Sequence, residues 1–284
     1  MLELIRKPEF KAGQHSFTLQ EQGLRSVSQC LNDLEQEFDS QMISFFVARK
    51  RLRQLVGWKV KGDPEPSEAD VRIAQIEVLA EWDAKKNEAA DHGTKVHRMF
   101  ELFLTKGEVL YPATRTFLTN LKAEYDQFYK EYDCEVMMCN SEFGTAGITD
   151  FIGIRNTKEV ILDIDDFKTN LFKGIQFDSV SRKDDKIKHY NQFFKPPVAH
   201  LEQCNYNRYG LQLSIYALML VLEFARQGIQ ARVGRIRLNF VEFNAETEII
   251  EYSGIIPIPY LHNEAQAILT ENVKYVTVPE SQDW

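Results

Sequence analysis

The sequence predicts an α+β fold with a helical N-terminal extension, and three observations carry that prediction. Apolar residues recur at helical spacing through the front third of the chain, then switch to two-residue alternation between residues 134 and 168. A strongly apolar helical stretch at residues 209–227 separates those strands from a later pair. A chain of 284 residues with 44% hydrophobic and 27% charged residues is long and apolar enough to bury a real core.

Taken in order, Ser40 caps a helix through Ile43, Phe46, Val47 and Leu52 that ends near Gly57. The connector Gly62-Asp63-Pro64-Glu65-Pro66 leads to a second helix, opened by the capping box Ser67-Glu68-Ala69-Asp70 and continued by Ile73, Ile76, Leu79 and Trp82. A further helix starts near Thr94 and stops at Gly107. Residues 113–133 place Phe117, Leu121, Tyr125, Phe128 and Tyr132 on one helical face. Residues 1–90 therefore read as a helical extension packed on a core built from residues 91–284. Residues 134–143, 146–155 and 160–168 are rich in Val, Ile and Phe, and the turn Asn156-Thr157-Lys158-Glu159 makes the last two an antiparallel pair in a meander. Gly228 stops the helix at 209–227. Strands at 232–243 and 246–256 follow, and Pro257 and Pro259 precede a final helix at about 261–269.

Composition excludes several classes. The apolar stretch at 211–225 is interrupted by Gln212, Ser214 and Glu223, too short and polar to span a bilayer, so no membrane association is expected. Charges fall where an export signal would need its apolar core, and the four cysteines form no Cys-x-x-Cys pair, which together predict reduced thiols in a cytoplasmic protein. Net charge is -8, against a protein that coats nucleic acid by bulk electrostatics. Residues 168–208 nevertheless hold eight Lys/Arg against four Asp/Glu, a positive segment in an acidic chain.

Four polar clusters interrupt core-like elements. His97 and Glu101 share a helical face with Val96, Phe100 and Leu104 nearby, where a lone histidine is most often a satisfied core residue. Asp150 lies in an apolar strand and points with Ile148, Ile152 and Ile154, which is costly unless it is paired or binds a metal. In residues 160–168 alternation puts Leu162, Ile164, Asp166 and Lys168 on one face and Asp163, Asp165 and Phe167 on the other. Two carboxylates and an imidazole around a divalent cation, with an ammonium beside it, can polarise a phosphate and acidify a water. The structural alternative is an Asp-Lys pair with solvated Asp163 and Asp165. Gln212 and Tyr216 lie one turn apart on the apolar helix, suited to a DNA phosphate contact or to fixing the lysine; taken alone, such a pair is more often two amphipathic side chains reaching a helix surface.

Gly93-Thr94-x-x-His97, Gly147-x-x-Asp150, Asp166-x-Lys168-Thr169 and Gln212-x-x-x-Tyr216, in that order, resemble the RecB-type branch of the PD-(D/E)XK nuclease superfamily. The similarity, greatest to stand-alone phage and bacterial exonucleases, covers about residues 90–222. It implies a restriction-endonuclease-like core, a central mixed sheet flanked by helices. It further implies that His97, Asp150, Asp166 and the Phe167 carbonyl bind Mg²⁺ or Mn²⁺, that Lys168 orients or activates the water, and that Gln212 and Tyr216 support the site near the scissile phosphate. The expected activity is metal-dependent hydrolysis of DNA, by an exonuclease of recombination, repair or phage genome processing. An endonuclease of the same fold and an inactive DNA-binding or scaffolding subunit are the alternatives. DNA is the expected partner, with a recombination or replication protein and a homo-oligomer as further candidates. Asp163 and Asp165 leave a register slip open, although alternation favours Asp166. Relatives with an iron-sulfur cluster carry three cysteines after the Gln-x-x-x-Tyr helix. None follows Cys204 here, so no such cluster is expected.

Residues 170–209 supply the electropositive surface. Lys173, Arg182, Lys183, Lys186, Lys188 and Lys195 are interleaved with Phe172, Phe177, His189, Tyr190, Phe193 and Phe194, a mixture suited to phosphate contact and base stacking. The alternative is a solvated loop whose aromatics pack on the core.

Overall fold

A computed structural model of the chain describes residues 1–11, 16–19, 22–55, 65–169, 175–183 and 186–275, the side chains of 181–189 and Tyr252 excepted. Along the chain these form β1 (Glu9–Lys11), β2 (Ser16–Leu19), β3 (Gln22–Ser26), α1 (Val27–Leu34), α2 (Ser40–Leu55), α3 (Glu68–Lys106), α4 (Arg115–Phe128), β4 (Tyr129–Asn140), β5 (Thr145–Arg155) and β6 (Val160–Lys168). There follow β7 (Val180–Lys183), β8 (Lys186–His189), α5 (Asn205–Arg226), β9 (Ala231–Asn244), β10 (Ile249–Ile258) and α6 (His262–Asn272). The architecture is α+β, with a mixed central sheet flanked by helices. Two compact units divide the chain: Met1–Gln36 with Lys95–Trp284, and Glu37–Thr94.

In the larger unit, β4, β5 and β6 form an antiparallel meander, and β6 then runs parallel to β9 after the crossover through α5. The second edge of β5 is shared. β6 pairs with it from Ile154 to Phe151, and β3 pairs with it in parallel at Thr145 and Ala146. Residues 147–150 fall in the gap between those partners. On one sheet face Ile152, Ile154, Leu162, Ile164 and Leu238 pack against α1, α5 and α6. On the other, Phe151, Phe167 and Val241 pack against Phe100 and Phe103 of α3 and Leu118 and Tyr125 of α4. In the smaller unit, α2 and the first part of α3 meet through Ala48, Val71 and Val78, with Trp82 against them.

Several elements differ from the sequence expectation. Residues 1–36 hold three strands and a short helix as well as helical turns, and they belong with the sheet unit. Their strands are three to five residues long, too short to show a period. The two helices expected around residues 67–82 and 94–107 are one helix of 39 residues. Gly93 stays inside it, because a single glycine costs a helix only about 1 kcal/mol against alanine. The stop comes at Gly107, whose φ of +71° suits a residue without Cβ. Helix α4 ends at Phe128, and Tyr129 and Tyr132 enter β4 instead, drawn by pairing with Arg155 and Gly153 of β5. The expected helix end near Gly57 and the start of the connector, residues 62–64, lie outside the described residues. No helix among the described residues is long and apolar enough to cross a membrane.

Candidate metal centre

The centre is made by a fork in the sheet. Backbone pairing between β5 and β6 runs up to Phe151↔Asp165 and stops, while β6 continues on β9 as far as Lys168↔Phe240. Asp150 and Asp166 stand at the fork, and the strands are held there by a side chain instead of a ladder bond. Asp150 Oδ2 accepts the Phe167 backbone N–H at 2.7 Å.

Alternation along β6 then decides which acids meet. Asp166 and Lys168 turn toward α5, and Lys168 Nζ lies 2.6 Å from Asp166 Oδ2 and 5.1 Å from the centre of the Tyr209 ring. That oxygen is buried and makes no aligned hydrogen bond, so the ion pair is its contact. Burial and the neighbouring Asp150 charge hold the Asp166 carboxyl well above the ordinary carboxylate range, with Lys168 offsetting them in part. Burial opposes the Lys168 charge, but Asp166 and Asp150 outweigh it, and the ammonium is held more firmly than usual. On α5, Gln212 Nε2 donates to Tyr216 Oη at 3.3 Å. Burial pushes the Tyr216 phenol up, so it stays neutral. Gly147 admits that ring: a Cβ there would lie 2.5 Å from Tyr216 Cε1.

His97 reaches the fork from α3. Its Nε2 lies 2.7 Å from the Phe167 carbonyl oxygen, and its Nδ1 lies 3.5 Å from Asp150 Oδ1 and 3.6 Å from Glu135 Oε1. Burial disfavours the charged ring, yet Glu135 and Asp150 overcome it and hold the imidazole up at about 8. When Nε2–H donates to the carbonyl, the Nδ1 lone pair faces the two carboxylates, the arrangement that fixes a ligand histidine's tautomer. His97, Glu135 and Asp150 bring their ligand atoms within 4.8 Å of one another. One imidazole nitrogen and the carboxylate oxygens of Glu135 and Asp150 form a hard donor set of the kind that suits Mg²⁺ or Mn²⁺, with the Asp166–Lys168 ion pair beside it.

The structure thus gathers His97, Asp150, Asp166, Phe167, Lys168, Gln212 and Tyr216 at one end of the sheet, and adds two residues that sequence reasoning missed. Glu135 sits in β4 with φ of +51°, a left-handed backbone conformation that non-glycine residues reach only under constraint. Local sequence marks it weakly, because Glu135 is the second residue of the expected strand 134–143 and follows closely on Asp133. Tyr209 shares a face with Gln212 and Tyr216 at helical spacing.

Other expectations are corrected or lie elsewhere. The Phe167 carbonyl, expected among the ligands, is engaged by His97. Asp163 and Asp165, solvated in the structural alternative, are fully buried on the opposite sheet face and ion-paired to arginines. Glu101 pairs with Arg98. Lys195 lines a separate cavity of about 160 Å³ with Arg25, Cys30 and Lys274. Arg182, Lys183, Lys186 and Lys188 lie on the paired strands β7 and β8, their side chains outside the described residues, as is Lys173 altogether. Of the interleaved aromatics, Phe194 belongs to the core while Phe177, Tyr190 and Phe193 are exposed. All four cysteines are buried free thiols.

Neither family models nor curated proteins match this chain. A solved structure described as "Crystal structure of SSO0001" aligns at 16% identity over 85% of this chain and 90% of that one, with a TM-score of 0.29, a likeness that carries no argument.

Proposed function

We propose that the chain is a divalent-metal-dependent nuclease with a restriction-endonuclease-like core, hydrolysing DNA phosphodiester bonds from strand ends. One observation carries this reading: among the described residues, three carboxylates, Asp150, Asp166 and Glu135, gather at the sheet fork around Lys168 and a histidine, and the excess of negative charge holds both the Asp166 carboxyl and the His97 imidazole above their ordinary ranges. Such an excess at a largely buried site is costly unless protons or a metal cation complete it. A cation bound by His97, Asp150, Asp166 and Glu135 would neutralise phosphate charge and acidify a water.

The protein side of the chemistry follows from the contacts. Asp166 and the Tyr209 ring hold the Lys168 ammonium in one place, where it meets the negative charge of an entering phosphate. Asp150 ties the two strands through Phe167 N–H, and the same Phe167 fixes the His97 ring, so the acids and the imidazole cannot drift apart independently. Gln212 and Tyr216 add neutral donors on the α5 side. Attack from ends, and the setting in recombination, repair or phage genome processing, rest on the motif resemblance.

The test is a time course on one end-labelled linear DNA and a covalently closed circle of the same sequence, in Mg²⁺, Mn²⁺ and chelator. Metal-dependent loss of the linear form alone, with release of nucleotides or short oligonucleotides, is expected. Cutting of the circle would move the assignment to an endonuclease, and binding without cleavage in either metal would overturn the enzyme.

A further inference from the structure

A groove of about 460 Å³ opens beside the centre, between the sheet and helices α3 and α4. Register places its floor on the sheet face opposite Asp166 and Lys168: Phe167 of β6 lies beside Asn239 of β9, which lies beside Ile255 of β10. Phe100, Phe117 and Leu121 wall it. Its volume falls in the range of small-ligand sites, about 300–1,000 Å³.

Phe167 belongs to both places. Its backbone engages Asp150 and His97, and its ring stacks on Phe100 with centroids 4.2 Å apart and planes at 10°. Along α3, His97 faces the centre and Phe100, one turn on, faces the groove. An occupant therefore sits one residue along β6 and one turn along α3 from the phosphate-binding end.

The lining limits what that occupant can be. Among the described residues no Lys, Arg or His lines the groove and the one charged residue is Glu124, which is exposed, so a phosphate does not belong there. The aromatic walls favour a flat apolar surface. Asn239 Nδ2 is buried with no hydrogen-bond partner among the described residues, so a plain hydrocarbon would leave a donor unsatisfied. A neutral planar ring with hydrogen-bond acceptors on its edge meets both demands.

We propose that this groove receives one unpaired base of the strand whose phosphate lies at the Asp150–Asp166–Lys168 centre, which makes single-stranded or frayed ends the preferred substrate. The inference rests on the nuclease reading. Base–aromatic stacking tolerates any sequence, in keeping with a degradative enzyme.

The experiment walks 2-aminopurine along a single-stranded oligonucleotide, bound at saturating protein in Ca²⁺ to hold off cleavage, with anisotropy of a labelled copy reporting binding. Fluorescence should be quenched at one position, where a base stacks on an aromatic ring, and not at its neighbours. Phe117→Ala and Asn239→Leu should each abolish that quench while the strand remains bound at saturation. Both residues are partly exposed, and circular dichroism checks that the variants fold. Binding with no position-specific quench, or a quench that survives both variants, overturns the groove and leaves the nuclease reading standing. No binding of any strand by the parent protein overturns both.

Discussion

The two faces of β6 carry the same kind of residue at the same depth and treat it in opposite ways. On the α4 side Asp163 and Asp165 are wholly buried, and their charges are more than matched. Arg155 and Arg235 both reach Asp163, which also accepts the Tyr129 hydroxyl at 3.1 Å. Arg237 Nε donates to Asp165 at 2.7 Å, and the Tyr125 hydroxyl at 3.1 Å. Burial alone would raise the Asp163 carboxyl, but its arginines hold it below the ordinary range. On the α5 side Asp166 is equally deep and shares Lys168 with Asp150, and its carboxyl is held above the ordinary range. Burial of an acid is therefore not what marks the centre. What marks it is charge left unmatched after every local partner is counted.

The sharpest way to break that contrast is to remove one charge from each face. Asp165→Asn strips Arg237 of its partner inside the core, and breaking a buried pair in this way costs about 3–5 kcal/mol, read as a lower denaturant midpoint. Asp166→Asn takes a partner from Lys168, but it removes an acid that its surroundings disfavour and leaves Asp150 facing the ammonium, so it should lose less stability. It should instead lower metal-dependent cleavage by about a hundredfold or more. Equal destabilisation by the two, or full cleavage by Asp166→Asn, would show that the faces are alike.

A second contrast appears against pH. The His97 imidazole is held up at about 8 against an ordinary 6.5, so its contribution to the stability of the ion-free chain is complete below about pH 6.5 and vanishes as pH rises through about 8. The raised Asp166 carboxyl acts with the same sign, since it too keeps a proton in the folded state that the unfolded chain gives up at lower pH. Ion-free protein should lose stability between pH 6 and pH 9, by about 2 kcal/mol from the histidine. Mg²⁺ must expel those protons, so its apparent affinity should climb across the same window and level above it. Thermal melts with chelator and with Mg²⁺ read both effects. A flat ion-free profile would remove His97 from the carboxylate pair.

How far the sequence foretold this follows from what each signal depends on. Period-two alternation is local, so it assigned Asp166 and Lys168 to one face and Asp163 and Asp165 to the other. Of the three arginines that neutralise the second pair, Arg155 is the hairpin neighbour on β5, but Arg235 and Arg237 arrive from β9, about seventy residues later, and no local pattern announces which acid they will meet. Hence the structural alternative has Asp163 and Asp165 solvated although they are buried. Glu135 was missed for the same reason: its part in the centre depends on a left-handed backbone at one residue and on the approach of α3. The meander and the apolar α5 were legible because their periods run for two turns or more. The strands of residues 1–36 were not, being three to five residues each.

Glu135→Gln sharpens the contrast from inside the centre. It keeps the shape and removes one of the charges that hold up His97, so the imidazole should titrate lower, by NMR, and the pH at which Mg²⁺ affinity levels should fall with it. Affinity itself should drop by about tenfold, the lower end for a group that positions or joins a ligand set. An unchanged histidine titration would place Glu135 outside the centre.

The smallest effect concerns the two glycines that let each face close. A Cβ on Gly234 would collide with Asp163 Oδ1 and lie 2.9 Å from Arg155 Nη2, in the middle of a fixed ion-pair network. A Cβ on Gly147 would first meet the edge of the Tyr216 ring, at 2.5 Å, and then its hydroxyl. Both contacts are closer than real Cβ atoms tolerate, but what must give way differs. At Gly234 the neighbour is held by two arginines and cannot move without unpairing a buried charge. At Gly147 a neutral ring can swing on its helix, at the expense of its hydrogen bond with Gln212. Gly147→Ala should therefore cost only about 1 kcal/mol, the low end for overpacking a core, and Gly234→Ala clearly more. Cleavage should report the reverse order once each variant is assayed well below its melting temperature, because Tyr216 borders the centre and Asp163 does not. A Gly147→Ala protein with parental cleavage would mean that the Gln212–Tyr216 pair serves packing alone.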